Sequence, residues 1–195
     1  MDASDSQDAI GTDRLILRKF VVEDFPGYAA YRSREDVYRY LYAAPLTGCA
    51  LEEKFASLLG APFENDNDDF RLAVIRREDG VLVGDVMLKL ASKPALQAEV
   101  GYVFNPHYGG KGYATEAVAA IIAMGFETFG FHRIFARLDP LNKGSVGVAE
   151  RLGMRREAHL IGNDRFNGVW GDEYIYAVLA REWAARCEEK RSRQT

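Results

Sequence analysis

The stretch that decides the fold reads Ala98-Glu99-Val100-Gly101-Tyr102-Val103-Phe104, then, three residues on, Tyr108-Gly109-Gly110-Lys111-Gly112-Tyr113-Ala114. The first segment has the makeup of a strand. After the glycines, Ala117, Val118, Ile121, Ile122 and Phe126 recur at helical spacing, so the chain from Ala114 to Phe129 reads as a long helix. A strand thus runs into a glycine-rich turn, and the turn opens a helix. That order aims bare backbone N–H groups and the positive end of a helix at one spot. Such a spot suits a phosphate, and the first expectation is a phosphate-bearing cofactor.

Working outward, Arg14 to Arg18 reads as a first strand and Glu23-Asp24 opens a helix through Tyr31, with Pro26 tolerated in its first turn. Ala50 to Leu59 reads as a second helix, with Leu51, Phe55, Leu58 and Leu59 on one side. Phe70–Arg76 and Val81–Leu90 flank Asp79-Gly80, a good hairpin turn. Beyond the long helix come a strand Arg133–Leu138 and a short helix Ser145–Leu152 stopped by Gly153. Two further strands, Arg155–Ile161 and Trp170–Leu179, surround a turn over Asn163 to Gly168. Hairpins mixed with helices favour a mixed sheet flanked by helices over a purely parallel one.

The 195 residues suffice for one domain with a sizeable core. The organisation expected is a loose tail over 1–10, a domain over 11–185 and a charged, frayed tail over 186–195. A net charge of −4 argues against a nucleic-acid binder. Cys49 and Cys187 form no C-x-x-C pair and read as reduced thiols. The acidic, polar N-terminus is no signal peptide, and no apolar run approaches the ~20 residues that cross a bilayer, so the expected location is the cytoplasm, away from membranes. The acidic run Glu64 to Asp69 lacks the glycine and late glutamate of a calcium loop, and His107, His132 and His159 have no ligand spacing. No metal is expected.

Spacing tests the phosphate cofactor. A Walker loop needs Ser or Thr directly after its Gly-Lys, and here Gly110-Lys111 is followed by Gly112. A Rossmann fingerprint needs a third glycine where Thr115 stands, and no acid-tipped strand follows in the expected window. By contrast, Gly109-Gly110-Lys111-Gly112-Tyr113-Ala114 resembles the pyrophosphate loop of the GNAT acetyltransferase superfamily, Arg/Gln-x-x-Gly-x-Gly/Ala, with Gly112 and Ala114 on its last two fixed places. Gly109 stands where Arg or Gln is usual, so one side-chain contact is missing. The branch with Tyr-x-Gly-Lys-Gly-Tyr-Ala, which includes ribosomal-protein N-terminal acetyltransferases, shares that change. Thr12 to Arg18, Gly130 to Ile134, Asn142-x-x-Ser145, Glu150 to Met154 and Trp170 to Tyr176 resemble further blocks of that branch, in order, over about residues 12 to 183. Taken alone, Gly109, Gly110 and Gly112 are equally at home as plain turn structure; the downstream blocks in register turn the balance towards cofactor binding.

The resemblance implies a single α/β (α+β) domain with a mixed, mostly antiparallel sheet of about seven strands. It also implies acetyl transfer from acetyl-CoA to a primary amine, either a protein N-terminus or a small amine, by direct attack in a ternary complex. The strand at Tyr102, Val103 and Phe104 would pair through its backbone with the pantetheine arm, because it splays from its neighbour there. A free N–H near Tyr102 or Val103 would support the oxygen that turns anionic. The amides of Gly109, Gly110, Lys111, Gly112, Tyr113 and Ala114 would hold the pyrophosphate, and Asn142 and Ser145 would touch the cofactor. The side chain of Lys111 is either solvated or phosphate-facing. Glu99 is the candidate base, against an ordinary strand carboxylate. Many superfamily members carry a tyrosine where Ala149 stands here, so Ser145 is the candidate hydrogen-bond donor to the departing sulfur, against a role as helix N-cap.

The acceptor is expected between Tyr28–Leu59 and the hairpin around Phe166 to Trp170. The tyrosines of that first region read mainly as half-buried packing. Dimers are common among similar proteins, so a homodimer belongs to the expectation. The alternative function is an acyl-CoA-binding sensor or interaction module with little catalysis.

Overall fold

The computed structural model describes residues 9–192. Eight strands form one open sheet in the order β1-β2-β3-β4-β5-β6-β8-β7. They are β1 (Ile10–Gly11), β2 (Leu15–Arg18), β3 (Asp69–Arg76), β4 (Leu82–Ser92), β5 (Gln97–Phe104), β6 (Arg133–Leu138), β7 (Arg155–Phe166) and β8 (Val169–Leu179). The helices are α1 (Phe25–Arg32), α2 (Glu35–Tyr38), α3 (Gly48–Ala56), α4 (Tyr113–Glu127), α5 (Lys143–Arg151) and α6 (Ala180–Ser192).

All neighbouring pairs are antiparallel except β5 with β6, which run parallel. Parallel neighbours need a crossover, and α4 supplies it. The mixed, mostly antiparallel sheet is as expected; the eighth strand is the short β1, whose Ile10 is the last residue of the segment assigned to the tail and whose Gly11 opens the domain. Residues 1–8 of that segment lie outside the described residues. Ile10 packs partly buried against the main core.

Side-chain alternation divides the core between the two faces of the sheet. On one face Leu15, Leu17, Leu72, Val74, Val86, Leu88, Ala98 and Val100 pack against Val118, Ile121 and Ile122 of α4 and Val148 and Ala149 of α5. On the other, Ala73, Ile75 and Leu82 meet Tyr28 and Tyr31 of α1 and Leu51 and Phe55 of α3. The predicted apolar stripe on the second helix holds for Leu51 and Phe55, while Leu59 is exposed beyond the helix end. The α1 face also contains a buried charge. Asp85, fully buried, accepts from Tyr31 Oη at 2.7 Å and from Arg32 Nη2 at 2.7 and 2.8 Å, and Arg71 Nη1 donates to it as well. Burial would raise its pKa, but Arg32 and Arg71 outweigh that and hold it below the ordinary carboxylate value. This cluster ties α1 to β3 and β4.

Two sequence expectations change. The predicted frayed tail from 186 continues α6 to Ser192, with Cys187 partly buried against the main core and Arg186 Nη2 donating to Arg151 O at 2.6 Å. The last turn is shorter than expected. β7 runs through to Phe166, and the hairpin is closed by Asn167 (φ 49°) and Gly168 (φ 81°). Two successive positive φ values suit the right-handed twist of the flanking strands.

Candidate active site

The parallel pairing of β5 with β6 covers only Gln97, Ala98 and Glu99. Beyond Glu99 the strands part. β5 stays paired with β4 to Phe104, and β6 stays paired with β8 to Leu138. The β6-facing edge of β5 from Val100 onward therefore has no ladder partner. Asn105 N donates to Val83 O at 3.0 Å, and Val103 O also faces β4, 2.6 Å from where a Gly84 Cβ would stand. Alternation then turns the main-chain N–H and C=O of Tyr102, rather than those of Val103, to the open edge. Phe104 faces the same way.

At the end of β5 the chain makes one 3-10 turn, Pro106–Tyr108, with Asn105 Oδ1 accepting from His107 N at 3.1 Å. Gly109 N closes it onto Pro106 O at 3.0 Å. A Cβ at Gly109 would lie 3.1 Å from Pro106 O, a tight contact with main chain that a side chain here could make only if the turn gave by a few tenths of an ångström. Gly110 (φ 74°) and Gly112 (φ 81°) are left-handed, a conformation that strains any residue with a Cβ. Gly112 occupies the N-cap of α4 and offers no side chain, so the first amides of α4 have neither an intrahelical nor a capping partner.

The loop is braced from the turn that leads from β1 into β2. Arg14 Nη1 donates to Lys111 O at 2.9 Å, and the same guanidinium pairs with Glu116 in the first turn of α4 at 2.7 Å. Thr12 Oγ1 and Arg14 N donate to the other carboxylate oxygen of Glu116, at 2.6 and 2.9 Å. Burial pushes the Glu116 carboxyl up, but these donors hold it below the ordinary value.

Across the opening stands α5. Its N-cap is Asn142, whose Oδ1 accepts from Ser145 N at 3.1 Å. Ser145 is therefore the third residue of the helix and not its cap. Tyr102 Oη donates to Ser145 O at 3.3 Å, joining β5 to α5, and burial pushes the Tyr102 hydroxyl up to about 12.

A cleft of about 640 Å³ fills this space. Tyr102, Val103 and Phe104 line it, as do Gly109, Gly110, Gly112, Tyr113 and Ala114 of the loop and Asn142 and Ser145 of α5. Asp36, Val37, Tyr40 and Leu41 close it from the α2 side, and Thr115 and Arg151 complete it near α4. Among the sequence-predicted residues of the loop, Lys111 alone does not line the cleft. Its Nζ lies 6.0 Å from the Tyr108 ring centre, which favours the solvated reading of that charge.

Glu99 lies outside the cleft lining. It shares a face of β5 with Gly101 and Val103, the α1–α3 face, whereas Tyr102 and Phe104 pack towards α4. The structure thus sets Glu99 and Ser145 on opposite sides of the parted strands. Burial raises the Glu99 carboxyl above its ordinary value; Arg137 and Lys89 pull it down, and Glu173 and Asp69 push it up. Arg137 is itself clamped by Glu173, with Nη2 to Oε2 at 2.9 Å and Nε to Oε1. On this side Tyr42 bridges the early helical region to the β6–α5 connection, donating to Asp139 Oδ2 at 2.9 Å. Burial and that carboxylate push its hydroxyl up to about 12, and Asp164 and Asp172 add to the rise. Of the tyrosines read as half-buried packing, Tyr28 and Tyr31 are buried, while Tyr38, Tyr40 and Tyr42 are half-buried.

Sequence reading passed over Arg151 and the α2 wall. Arg151 sits in the Glu150-Arg151-Leu152-Gly153-Met154 block, but nothing in its spacing from the loop shows that it turns back to α4. The acidic segment 64–69 caps its own turn, with Asp68 Oδ2 accepting from Glu64 N and Asn65 N at 2.9 and 2.8 Å. Among the described residues no cluster of His, Cys, Asp and Glu is arranged to hold a metal ion, and no helix is long and apolar enough to cross a membrane.

A strand parting from its parallel neighbour beside a glycine-opened helix is an arrangement shared with known proteins. The family model for the acetyltransferase (GNAT) domain matches residues 14–155, so this chain belongs to the GNAT acetyltransferase family. It is 35% identical over 175 residues to the uncharacterized N-acetyltransferase YnaD of Bacillus subtilis, covering 89% of this chain and 98% of that one. Among solved structures, the GNAT-family acetyltransferase from Bacillus anthracis superposes with a TM-score of 0.81 at 33% identity, over 89% of this chain and 99% of that one. The spermidine N-acetyltransferase from Vibrio cholerae, solved with CoA and spermine, shares the fold at a TM-score of 0.77 and 22% identity, over 89% and 99% of the two chains.

Proposed function

We propose that this chain is an N-acetyltransferase that moves an acetyl group from acetyl-CoA to a primary amine by direct attack in a ternary complex. The observation that carries this reading is the open β5 edge ending in the uncapped N-terminus of α4. Acetyl-CoA brings the acetyl group as an activated thioester and carries phosphates for the loop. The amides from Gly109 to Ala114 bind those phosphates, with Gly110 and Gly112 left-handed and no Cβ in the way. Tyr102 and Phe104 offer main-chain groups to the pantetheine arm, and Asn142 closes the other side.

Glu99 takes the proton of the acceptor amine, directly or through one water, as the nitrogen bonds to the acetyl carbon. The Tyr102 N–H stabilises the carbonyl oxygen as it gains charge. When the carbon–sulfur bond breaks, its electron pair goes to sulfur, and the Ser145 hydroxyl donates a hydrogen bond there. The carboxylates of Glu99, Asp139, Asp164, Asp172 and Glu173 group on the acceptor side, around Tyr42 and Arg137. They favour an acceptor that arrives as a cation. Both a protein N-terminus and a polyamine fit that description.

Ala149, buried where superfamily members carry a tyrosine acid, favours the second reading, an acyl-CoA-binding module with little turnover. One experiment separates these. Thiol release from acetyl-CoA is measured against peptides, ribosomal proteins, polyamines and aminoglycosides, with calorimetry of acetyl-CoA, ATP and NAD alongside. Turnover that falls in Glu99→Gln and Ser145→Ala while CoA affinity holds supports the enzyme. CoA binding with no turnover on any acceptor supports the module. Preference for ATP or NAD over acetyl-CoA overturns both.

A further inference from the structure

When a thioester carbon–sulfur bond breaks, charge develops on sulfur, and a hydrogen-bond donor placed there lowers the barrier. Six residues that line the cleft carry a hydroxyl: Tyr40, Tyr102, Tyr108, Tyr113, Thr115 and Ser145. Tyr108, Tyr113 and Thr115 stand beside the glycines, at the end of the cleft assigned to the phosphates. Tyr40 belongs to the α2 wall. Of the six, Tyr102 on β5 and Ser145 on α5 flank the parted strands.

These two meet. Tyr102 Oη donates to Ser145 O at 3.3 Å. That is long for an O–H···O bond, which usually spans about 2.5–3.0 Å, so the hydrogen is only loosely engaged. Ser145 is the one residue of α5 with a hydroxyl, and Ala149 a turn further on is buried with a methyl group alone. Of the two hydroxyls the phenol is the more acidic, and hence the stronger donor. Its side chain also leaves β5 on the α4–α5 side, opposite Glu99. Base and donor therefore stand on opposite sides of the strand that presents the acetyl group.

We infer that the Tyr102 hydroxyl is a catalytic donor to the departing sulfur, acting beside the hydroxyl of Ser145. The inference rests on the proposed acetyl-transfer reading and adds a residue to its last step. As the carbon–sulfur bond breaks, its electron pair goes to sulfur, and Tyr102 Oη turns its hydrogen from Ser145 O to that atom. The proton stays on oxygen, because a thiol is a stronger acid than a phenol. CoA leaves as the thiolate and takes its proton from water. Burial holds the Tyr102 hydroxyl at about 12, with the neighbouring Ser145 side chain and the Arg151 charge acting against that rise. The hydroxyl thus keeps its proton, and can donate it, at any ordinary assay pH.

The test compares the full chain with Tyr102→Phe, which keeps the ring and removes only the hydroxyl. Transfer from saturating acetyl-CoA to spermidine and to a free-amine peptide is followed in single turnovers, so that product release does not mask the chemistry. CoA affinity is measured by calorimetry. Tyr102→Phe is expected to slow transfer about 10- to 100-fold while CoA affinity stays within about twofold of the parent. A difluorotyrosine in place of Tyr102 keeps the hydroxyl but makes it more acidic. Its rate relative to the parent is expected to fall as pH rises through the alkaline range, with CoA affinity held. Tyr102→Phe transferring at the parent rate overturns the inference. So does a slower rate matched by an equal loss of CoA affinity, which marks a packing role, and so does a difluorotyrosine chain that keeps pace with the parent at every pH. A parent chain that binds CoA yet transfers to no acceptor removes the proposed function itself, and this inference with it.

Discussion

Gly112→Ala tests the loop at its most constrained point. Gly112 has φ 81°, and its missing Cβ would stand 3.4 Å from Arg14 Nη2. That spacing is ordinary contact, so the penalty comes from the backbone and not from collision. A left-handed L-residue costs about 1–2 kcal/mol. For a chain of this size that lowers Tm by about 2–8 °C. The backbone can relieve the strain only by rotating the turn, and rotation re-aims the first amides of α4. Losing one charge-assisted amide–phosphate bond weakens CoA about 10- to 100-fold. Gly130→Ala is the control, because Gly130 has φ 66° with nothing within 4 Å of its Cβ and follows α4 at its far end. It should lose comparable stability and keep CoA affinity. Thermal unfolding and CoA calorimetry on the three proteins decide the matter. If Gly112→Ala matches the parent in both, or if Gly130→Ala loses CoA equally, the amide cradle is the wrong account.

Asp85→Asn leaves Arg32 and Arg71 facing each other without a buried counter-charge, and urea unfolding should show a loss of about 3–5 kcal/mol. Because the folded Asp85 pKa lies below its unfolded value, that cluster's contribution is full above about pH 4 and is lost as pH falls through the folded pKa. A parent and variant that stay equally far apart down to pH 2 would contradict this. If Glu99 must be ionised to act, kcat/KM rises with pH through an apparent pKa above the ordinary carboxylate range. Arg137→Ala removes a charge that lowers the Glu99 pKa and frees Glu173, which raises it, so the rising limb should move to higher pH. A limb that stays in place separates Glu99 from the rate. Tyr42→Phe removes the hydrogen bond to Asp139, about 0.5–1.5 kcal/mol for an ordinary bond and more beside a charge, and should raise the acceptor KM more than that of acetyl-CoA.

Much of this protein is legible in its residues because the relevant preferences are local. Asp79-Gly80, Gly110 and Gly112 mark positions of positive φ, or the tight turns around them, and the torsional freedom of glycine is a property of the residue itself. The 3.6-residue recurrence over Ala117 to Phe126 fixes a helix with one buried face whatever it packs on. The order strand, glycine turn, helix was therefore available from the chain, and with it the phosphate expectation.

Other features depend on partners distant in the sequence. That β5 leaves β6 after only three pairs is a relation between strands some thirty residues apart, and neither strand's composition encodes where pairing stops. The same limit hid Asp85, whose partners Arg32 and Arg71 come from α1 and β3. It also hid which cation borders the cleft: Lys111, the obvious charge in the loop, lies beside the Tyr108 ring, while Arg151 comes in from α5, beyond α4 and β6. Residue types set torsions and faces; only the assembled sheet sets which main-chain edge is left bare and which side chain reaches it.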